Sequence, residues 1–373
     1  MPSVLDLGNI WKNVREVDLR PIRAEAERPT WIAVVSGDAN ARSAFGQALC
    51  AEPRRVLPDG DASHAGPDPL QVNLDAAREL TADLIVLLLD DGQADASQER
   101  ELFQYWGQEG KKVIVVYNQA AAADGYYGGG WQGAPVLRGA VADRSFLENQ
   151  FVPAALQLLP DRLLSLARFY PLFRLRAAQQ LINETSVSNA TYSLTTGLAE
   201  VIPVLDVPFN VADMVVLTKA QAIMAYKLGL ALGLSSRWQD HMAAFGGTVG
   251  TGFLWRQVAR ELVGLIPVWG VLPKIAVAYA GTYVLGQAIM QWYLTGRQVS
   301  PEMMRQFYRD AFAQGKSFAQ ALLQRAPRPR SLPHISRPRL PARTRVKCEN
   351  CGALNPRGNK YCGKCGTALA VKG

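Results

Sequence analysis

Residues 31–43 read WIAVVSGDANARS, followed by AFGQALC. Trp31 to Ser36 is short, apolar and rich in β-branched residues, which predicts a buried strand. It runs into the turn Ser36-Gly37-Asp38-Ala39-Asn40-Ala41-Arg42-Ser43 and then into a helix-like segment. Two further apolar runs repeat the rhythm: Leu84–Leu89 ends at Asp90, and Val113–Tyr117 ends at Asn118. Between them Gln98 to Gly110 is helix-like and carries Leu102, Phe103 and Trp106. Strands alternating with helices imply a parallel sheet with crossovers. Such sheets bind ligands at the carboxyl ends of their strands.

At those strand ends the sequence has a family likeness. The turn after the first strand matches the phosphate-loop pattern GxxxxGK[ST] in length and in its last residue, Ser43, but Ser36 replaces the first Gly, Ala41 the second, and Arg42 the Lys. Glycines let successive backbone N–H groups turn inward around phosphates, and the Lys reaches the outer ones. Ala41 puts a methyl group where φ has to be positive, and Arg is bulkier and forked. The third strand ends VIVVYNQ and is similar to the guanine-reading NKxD motif, of which Asn118 is kept, with Gln119 for Lys and Ala121 for Asp. No DxxG follows a strand between Cys50 and Asp83. Residues 30–160 thus resemble an Era-like GTPase domain with degenerate motifs, which implies a P-loop-NTPase-like α/β fold. The nucleotide site would be Ser36, Gly37, Asn40, Ala41, Arg42, Ser43 and Asn118, with GTP or another nucleotide as ligand. The parts that orient the attacking water and Mg²⁺ are missing.

Phe151 to Ala190 is helical in composition, with breaks at Pro160 and Pro171. Beyond it lie two copies of one pattern. Ile202-Pro203-Val204, Val207-Pro208 and Gln221-Ala222-Ile223-Met224 recur as Ile266-Pro267-Val268, Leu272-Pro273 and Gln287-Ala288-Ile289-Met290. The spacing drifts from 64 to 66 residues, which is two single-residue insertions. Prolines ahead of a long apolar tail predict a bent lead-in and a helix, twice over. The stretches GLAEVIPVLDVPFNVADMVVLTKAQAIMAYKLGLALGL (197–234) and FLWRQVARELVGLIPVWGVLPKIAVAYAGTYVLGQAIMQWYLTGR (253–297) resemble the bacterial GTPase-associated domain of unknown function. That resemblance implies a membrane-associated helical-hairpin module and no reaction. A bilayer span takes ~20 predominantly apolar residues. Ile275 to Leu294 has that length without a charge, flanked by Lys274, with Trp292 and Tyr293 suited to an interface. The first copy carries Asp206, Asp213 and Lys219, and central charges cost ~2.5–3.5 kcal/mol each on insertion. The expectation is membrane insertion or close association, against a soluble bundle in which the hairpins bury each other. Met303 to Leu323 reads as a solvated amphipathic helix after Ser300-Pro301. Val4 to Val17 places apolar residues at helical spacing near the start, with mixed charges that favour docking on the next domain.

The whole chain is 373 residues with 49% apolar and 19% charged residues, a composition that excludes a disordered protein. Its net charge of +8 is unevenly placed: Ala311 to the end holds thirteen Lys/Arg against Glu349 alone, a net of +12, so the body carries −4. Residues 325–346 are a Pro/Arg linker that cannot bury a core. Lacking aromatics for base stacking, it suits anionic headgroups or solvent better than nucleic acid. The tail then reads Cys348-Glu-Asn-Cys351 and Cys362-Gly-Lys-Cys365, two knuckles separated by ten residues. Four thiolates aimed at one point make a closed tetrahedral Zn²⁺ site with no position for substrate. This resembles the short zinc ribbons at bacterial protein termini. Four of the five cysteines in CxxC pairs, with Asp6 and Lys12 interrupting any secretory apolar run, fit a reducing compartment.

The expected organisation is an amphipathic helix at 1–29, a degenerate GTPase-like domain at 30–160, a helical domain at 161–324, the linker, and a zinc ribbon at 347–370. The expected function is a non-catalytic scaffold or regulatory protein at the cytoplasmic face of the bacterial membrane, binding a protein partner through its ribbon. The alternatives are an unconventional NTPase using the altered loop, and a soluble nucleic-acid-binding protein. His64, His241 and His334 stand alone, with no catalytic set around them.

Overall fold

Apolar runs with no polar alternation cannot leave a face in water, and three of them form the centre of a parallel sheet. The structure is a computed structural model that describes residues 18–51, 67–90, 96–118, 130–199, 211–241, 271–296, 299–325, 345–356, 362, 364–365 and 367–369. They divide into two units, residues 1–321 and 322–373.

In the first unit a helix, α1 (Arg20–Glu27), leads into β1 (Ile32–Val35) and α2 (Ala39–Cys50). Then come β2 (Leu70–Val72), β3 (Leu84–Asp90), α3 (Ser97–Gln108), β4 (Val113–Asn118) and β5 (Val136–Gly139). The sheet order is β2-β1-β3-β4-β5, every pair parallel. This is a doubly wound, P-loop-like arrangement, as the sequence predicts. Register runs Ile32↔Leu84 to Val35↔Leu87 and Ile85↔Val113 to Asp90↔Asn118, which brings the carboxyl ends of β1, β3 and β4 to one edge.

Period-2 alternation sends successive side chains of each strand to opposite faces. Ala33, Val35, Ile85, Leu87, Val115 and Tyr117 face α3, where Leu102, Phe103 and Trp106 complete one core. The Trp106 indole N–H donates to the Ala77 carbonyl at 3.0 Å. Ile32, Val34, Val86, Leu88, Ile114 and Val116 face the other way, onto Phe45 of α2 and Phe151 just ahead of α4 (Val152–Leu158). Phe45, Phe151 and Phe173 meet edge to face at 5.0 and 6.0 Å, each burial contributing about 1.5–3 kcal/mol. Ala26 of α1 is buried in this second core, with Leu19 and Ile22 beside it. The described part of the N-terminal helix is therefore docked. Val4 to Val17 lie outside the described residues.

That second core does not stop at residue 160. It continues through α5 (Leu163–Phe169) and α6 (Arg174–Ala199) to α7 (Val211–Ala231) and α8 (Val271–Thr295). Pro160 and Pro171 each open a single 3₁₀ turn, where a missing N–H costs nothing, and so set α5 off as a separate segment. Polar bonds clamp it to the sheet. The Tyr170 hydroxyl donates to Thr30 O at 3.0 Å and accepts from Ile32 N at 3.3 Å; Ser165 meets the Thr30 hydroxyl at 2.7 Å, and Arg162 pairs with Asp83 at 2.7 Å.

Both repeat copies end in a helix, α7 and α8, and both lie on α6. Pro273 falls in the first turn of α8, where helical N–H groups have no partner to lose. The lead-ins around Pro203, Pro208 and Pro267 lie outside the described residues. The equivalent glutamines both point into the bundle. Gln221 donates to the Thr282 hydroxyl at 3.4 Å and Gln287 to Gln179 Oε1 at 2.7 Å, while Asn189 donates to Thr282 at 2.9 Å. α7 ends in a left-handed Gly233 (φ +76°), with Gly233 N donating to Leu230 O and Leu234 N to Gly229 O. The Arg168 guanidinium closes this terminus on Leu234 O at 2.8 Å. α9 (Pro301–Arg325) lays Met304, Tyr308, Ala311 and Ala319 in a separate core with α8 and leaves its other face in water.

Among the described residues no helix is long and apolar enough to cross a membrane. This corrects the spanning reading of Ile275–Leu294. The segment has the length, but Tyr279, Thr282 and Gln287 dilute it. Thr282 and Gln287 are bonded to neighbouring helices, as an internal helix requires.

The second unit is a short antiparallel hairpin, β6 (Arg345–Lys347) and β7 (Leu354–Pro356), paired Arg345↔Pro356 to Lys347↔Leu354, with the cysteines around it. The Pro/Arg linker at 326–344 lies outside the described residues.

Candidate functional site

The sequence points to two places, and the structure puts them in different units. The first is the carboxyl edge of the sheet. Strand order reverses direction between β1 and β3, the position where a doubly wound sheet opens a crevice. Ser36, Gly37, Asn40, Ala41, Arg42 and Ser43 lie there after β1, and Asn118 ends β4 on the same edge.

All of these groups except the exposed Gly37 already have a partner or a packing role within the chain. α2 opens at Ala39, so Ala39, Asn40 and Ala41 are helical and only Ser36, Gly37 and Asp38 remain as turn. Asp38 is the N-cap; its carboxylate accepts from Asn40 N at 2.8 Å. Asp38 N in turn donates to Ser36 Oγ at 3.1 Å. The Arg42 guanidinium folds back onto the Ser36 carbonyl. Ala41 is buried, and Ser43 Oγ accepts from Gln47 at 3.2 Å. Gly37 has no left-handed φ, and a Cβ there would meet only Leu74 Cδ1 at 3.6 Å, an ordinary contact. Asn118 Oδ1 accepts from Val141 N at 3.1 Å and so ties down the chain beyond β5. Gln119 and Ala121 lie outside the described residues.

Two carboxylates, Asp38 and Asp90, lie near each other on this edge. Asp90 ends β3, and burial, then Asp38, then Glu99 raise its pKa above the ordinary carboxylate value. A carboxylate capping a helix N-terminus takes the place that a phosphate takes in a phosphate loop. The sequence did not single out Asp38 or Asp90, since an acid after a strand is common and its neighbours belong to other elements.

The second place is the cysteine cluster. Cys348, Cys351, Cys362 and Cys365 hold their sulfurs within 4.8 Å of one another. Cys348 and Cys365 are 3.7 Å apart and Cys351 and Cys362 3.6 Å. A tetrahedron of sulfurs about Zn²⁺ at 2.3 Å has an edge of about 3.8 Å, so these two pairs have the spacing such an ion would impose. All five cysteines are free. An all-thiolate tetrahedral set selects Zn²⁺ or iron and leaves no open position.

The first knuckle turns tightly. Cys348 N donates to Ala353 O and Gly352 N to Cys348 O, both at 2.9 Å, and Gly352 takes φ +72°. Glycine adopts this left-handed conformation without the strain a Cβ would bring. In the second knuckle Cys362 N donates to Thr367 O at 2.8 Å. Backbone N–H groups of Lys364 and Cys365, with the Asn355 amide, bring the Cys362 thiol down to about 6. The Thr367 hydroxyl and backbone lower Cys365. The Ala353 backbone draws Cys351 down, but the thiols around it push it up to about 12. Four thiols this close cannot all ionise without a cation between them. Sequence reasoning missed Asn350, at an open position inside the first CxxC, and Asn355 and Thr367, which lie outside both; all three bring a polar group to a cysteine sulfur.

No protein-family model matches the chain, and no curated protein matches it.

Proposed function

We propose that this chain is a non-catalytic scaffold or regulatory protein. In this reading residues 30–160 are an Era-like GTPase domain whose nucleotide machinery has decayed, and residues 161–324 are a bacterial GTPase-associated helical module joined to it through a common core. The protein sits peripherally on the cytoplasmic face of the bacterial membrane, drawn there by its basic tail, and holds a protein partner through a structural Zn²⁺ ribbon. The observation that carries the reading is the turn after β1. Asp38 caps α2 with its own carboxylate and Arg42 folds back on Ser36 O, so the helix N-terminus that would receive a phosphate is already filled by an anion. Asp90 beside it adds like charge.

Calorimetry of the full chain with GTP, GDP and ATP in the presence of Mg²⁺ tests this. The expected result is no heat and no thermal shift with any of the three. Micromolar binding of a guanine nucleotide that Arg42→Ala abolishes would replace the scaffold by the alternative, a GTP-binding protein in which Arg42 and Ser43 hold phosphates.

A further inference from the structure

Four thiolates exceed the charge of one Zn²⁺ by two, so a thiolate site depends on N–H donors aimed at its sulfurs. In this ribbon, backbone groups supply most of them, but a buried side chain also does so from outside both knuckles. Asn355 stands in β7 opposite Val346 and is 4% exposed. Its Nδ2 donates to the Ala353 carbonyl at 2.9 Å and lies 3.4 Å from Cys362 Sγ. A carbonyl only accepts, so Ala353 O determines which end of the amide faces inward, and the second N–H on the same nitrogen reaches the sulfur.

The same Ala353 carbonyl accepts from Cys348 N at 2.9 Å. One carbonyl and one amide thus run continuously from the first knuckle to a ligand of the second. An amide buried this deeply is costly unless its donors are used, and among the described residues the buried apolar cluster of this unit is small: Cys348, Cys362 and Leu369. Asn350 provides the contrast. It is exposed, its amide bonds the Thr367 hydroxyl at 3.0 Å, and Cys365 Sγ is 3.9 Å away.

We infer that Asn355 is a positioning residue of the metal site: its N–H holds Cys362 Sγ at a corner of the tetrahedron and offsets part of that thiolate's charge. This rests on the metal reading above. Affinity for the ion therefore depends on a residue that no CxxC pattern contains.

The test uses the full chain, wild type and Asn355→Ala, titrated against a chromophoric zinc chelator, and then loaded with Co²⁺ to read the thiolate-to-metal absorption. Wild type should hold one ion per chain; a wild type with none overturns the metal reading itself, whatever the variants do. The alanine variant should still load one ion at saturation but bind it about 10–100-fold more weakly, with its Co²⁺ charge-transfer band moved to lower energy. Affinity within twofold of wild type and an unmoved band would overturn the role of Asn355. Asn355→Asp has the same size, no N–H and a negative charge, so it should weaken binding further. If the alanine variant does not fold, this substitution decides, and wild-type affinity in it overturns the proposal.

Discussion

His241 is 2% exposed and both of its ring nitrogens are engaged. Nε2 lies 2.5 Å from the Ser235 carbonyl and Nδ1 3.2 Å from the Tyr293 hydroxyl. Since the carbonyl only accepts, Nε2 carries a proton, and in the neutral imidazole Nδ1 accepts from the Tyr293 hydroxyl. The rings of Tyr226 from α7 and Tyr293 from α8 stand edge-on to it. Burial lowers its pKa below the ordinary 6.5, against the Ser235 carbonyl and Asp240, and Arg168 from α5 lowers it further. The unfolded chain takes up a proton near pH 6.5 that the native chain refuses. Stability is therefore full above about pH 6.5 and falls as the pH drops from there toward the lowered native pKa, by at most about 1.4 kcal/mol per pH unit. Thermal melts at pH 7.5 and 5.5 should show this fall, and His241→Gln should flatten it. An equal fall in the variant would assign the effect to other groups. At this scale the sequence named the four cysteines, because the spacing of a knuckle is local. It could not name Asn355, whose partner Cys362 lies seven residues on in another part of the ribbon. Nor could it show that Asp38 fills its own helix terminus, since that depends on where α2 begins.

The elements divide in the same way. The strands at Ile32–Val35, Leu84–Asp90 and Val113–Asn118 are legible because strands buried on both faces read as unbroken apolar runs. The edge strands Leu70–Val72 and Val136–Gly139 are not, being three and four residues long with partly exposed faces. α8 shows the reverse problem: its composition read as a candidate span, whereas its contacts make it an internal helix. Gly286 marks how closely it lies on α6. A Cβ there would come within 2.7 Å of Ile182 Cγ1 and 2.9 Å of Cγ2, atoms of a β-branched side chain that a helix holds in one rotamer. Gly286→Ala should lose up to about 2 kcal/mol, because overpacking costs about 1–3 kcal/mol against a gain of about 1 kcal/mol in helix propensity. Urea midpoints of the two proteins would show it; a variant as stable as wild type would mean that the two helices part without cost.

Across the whole molecule, the two units have separate cores of very different size. The larger joins the sheet to the bundle through one apolar cluster, and Tyr170, Ser165 and Arg162 fasten the two to each other. The smaller has Cys348, Cys362 and Leu369 as its buried apolar cluster among the described residues, so a metal held by its four cysteines would supply most of its folding free energy. A strong chelator should abolish the transition of residues 322–373 and leave that of residues 1–321 where it was. Calorimetric melts with and without chelator read both; a shift of several degrees in the larger transition would show that the metal stabilises more than its own unit.

Periodicity, proline placement and cysteine spacing are local properties, and they were enough to determine a parallel α/β sheet, a helical region with two copies of one pattern, and a four-cysteine ribbon. The tertiary structure decided that sheet and bundle share a core, that Gln221, Gln287 and Thr282 serve the bundle interior, and that the turn after β1 satisfies itself. Those depend on pairs such as Thr30 and Tyr170, 140 residues apart, or on which of several nearby donors reaches an acceptor first. Burial and hydrogen bonding select among such pairs only once the chain has folded, so no local pattern in the sequence records them.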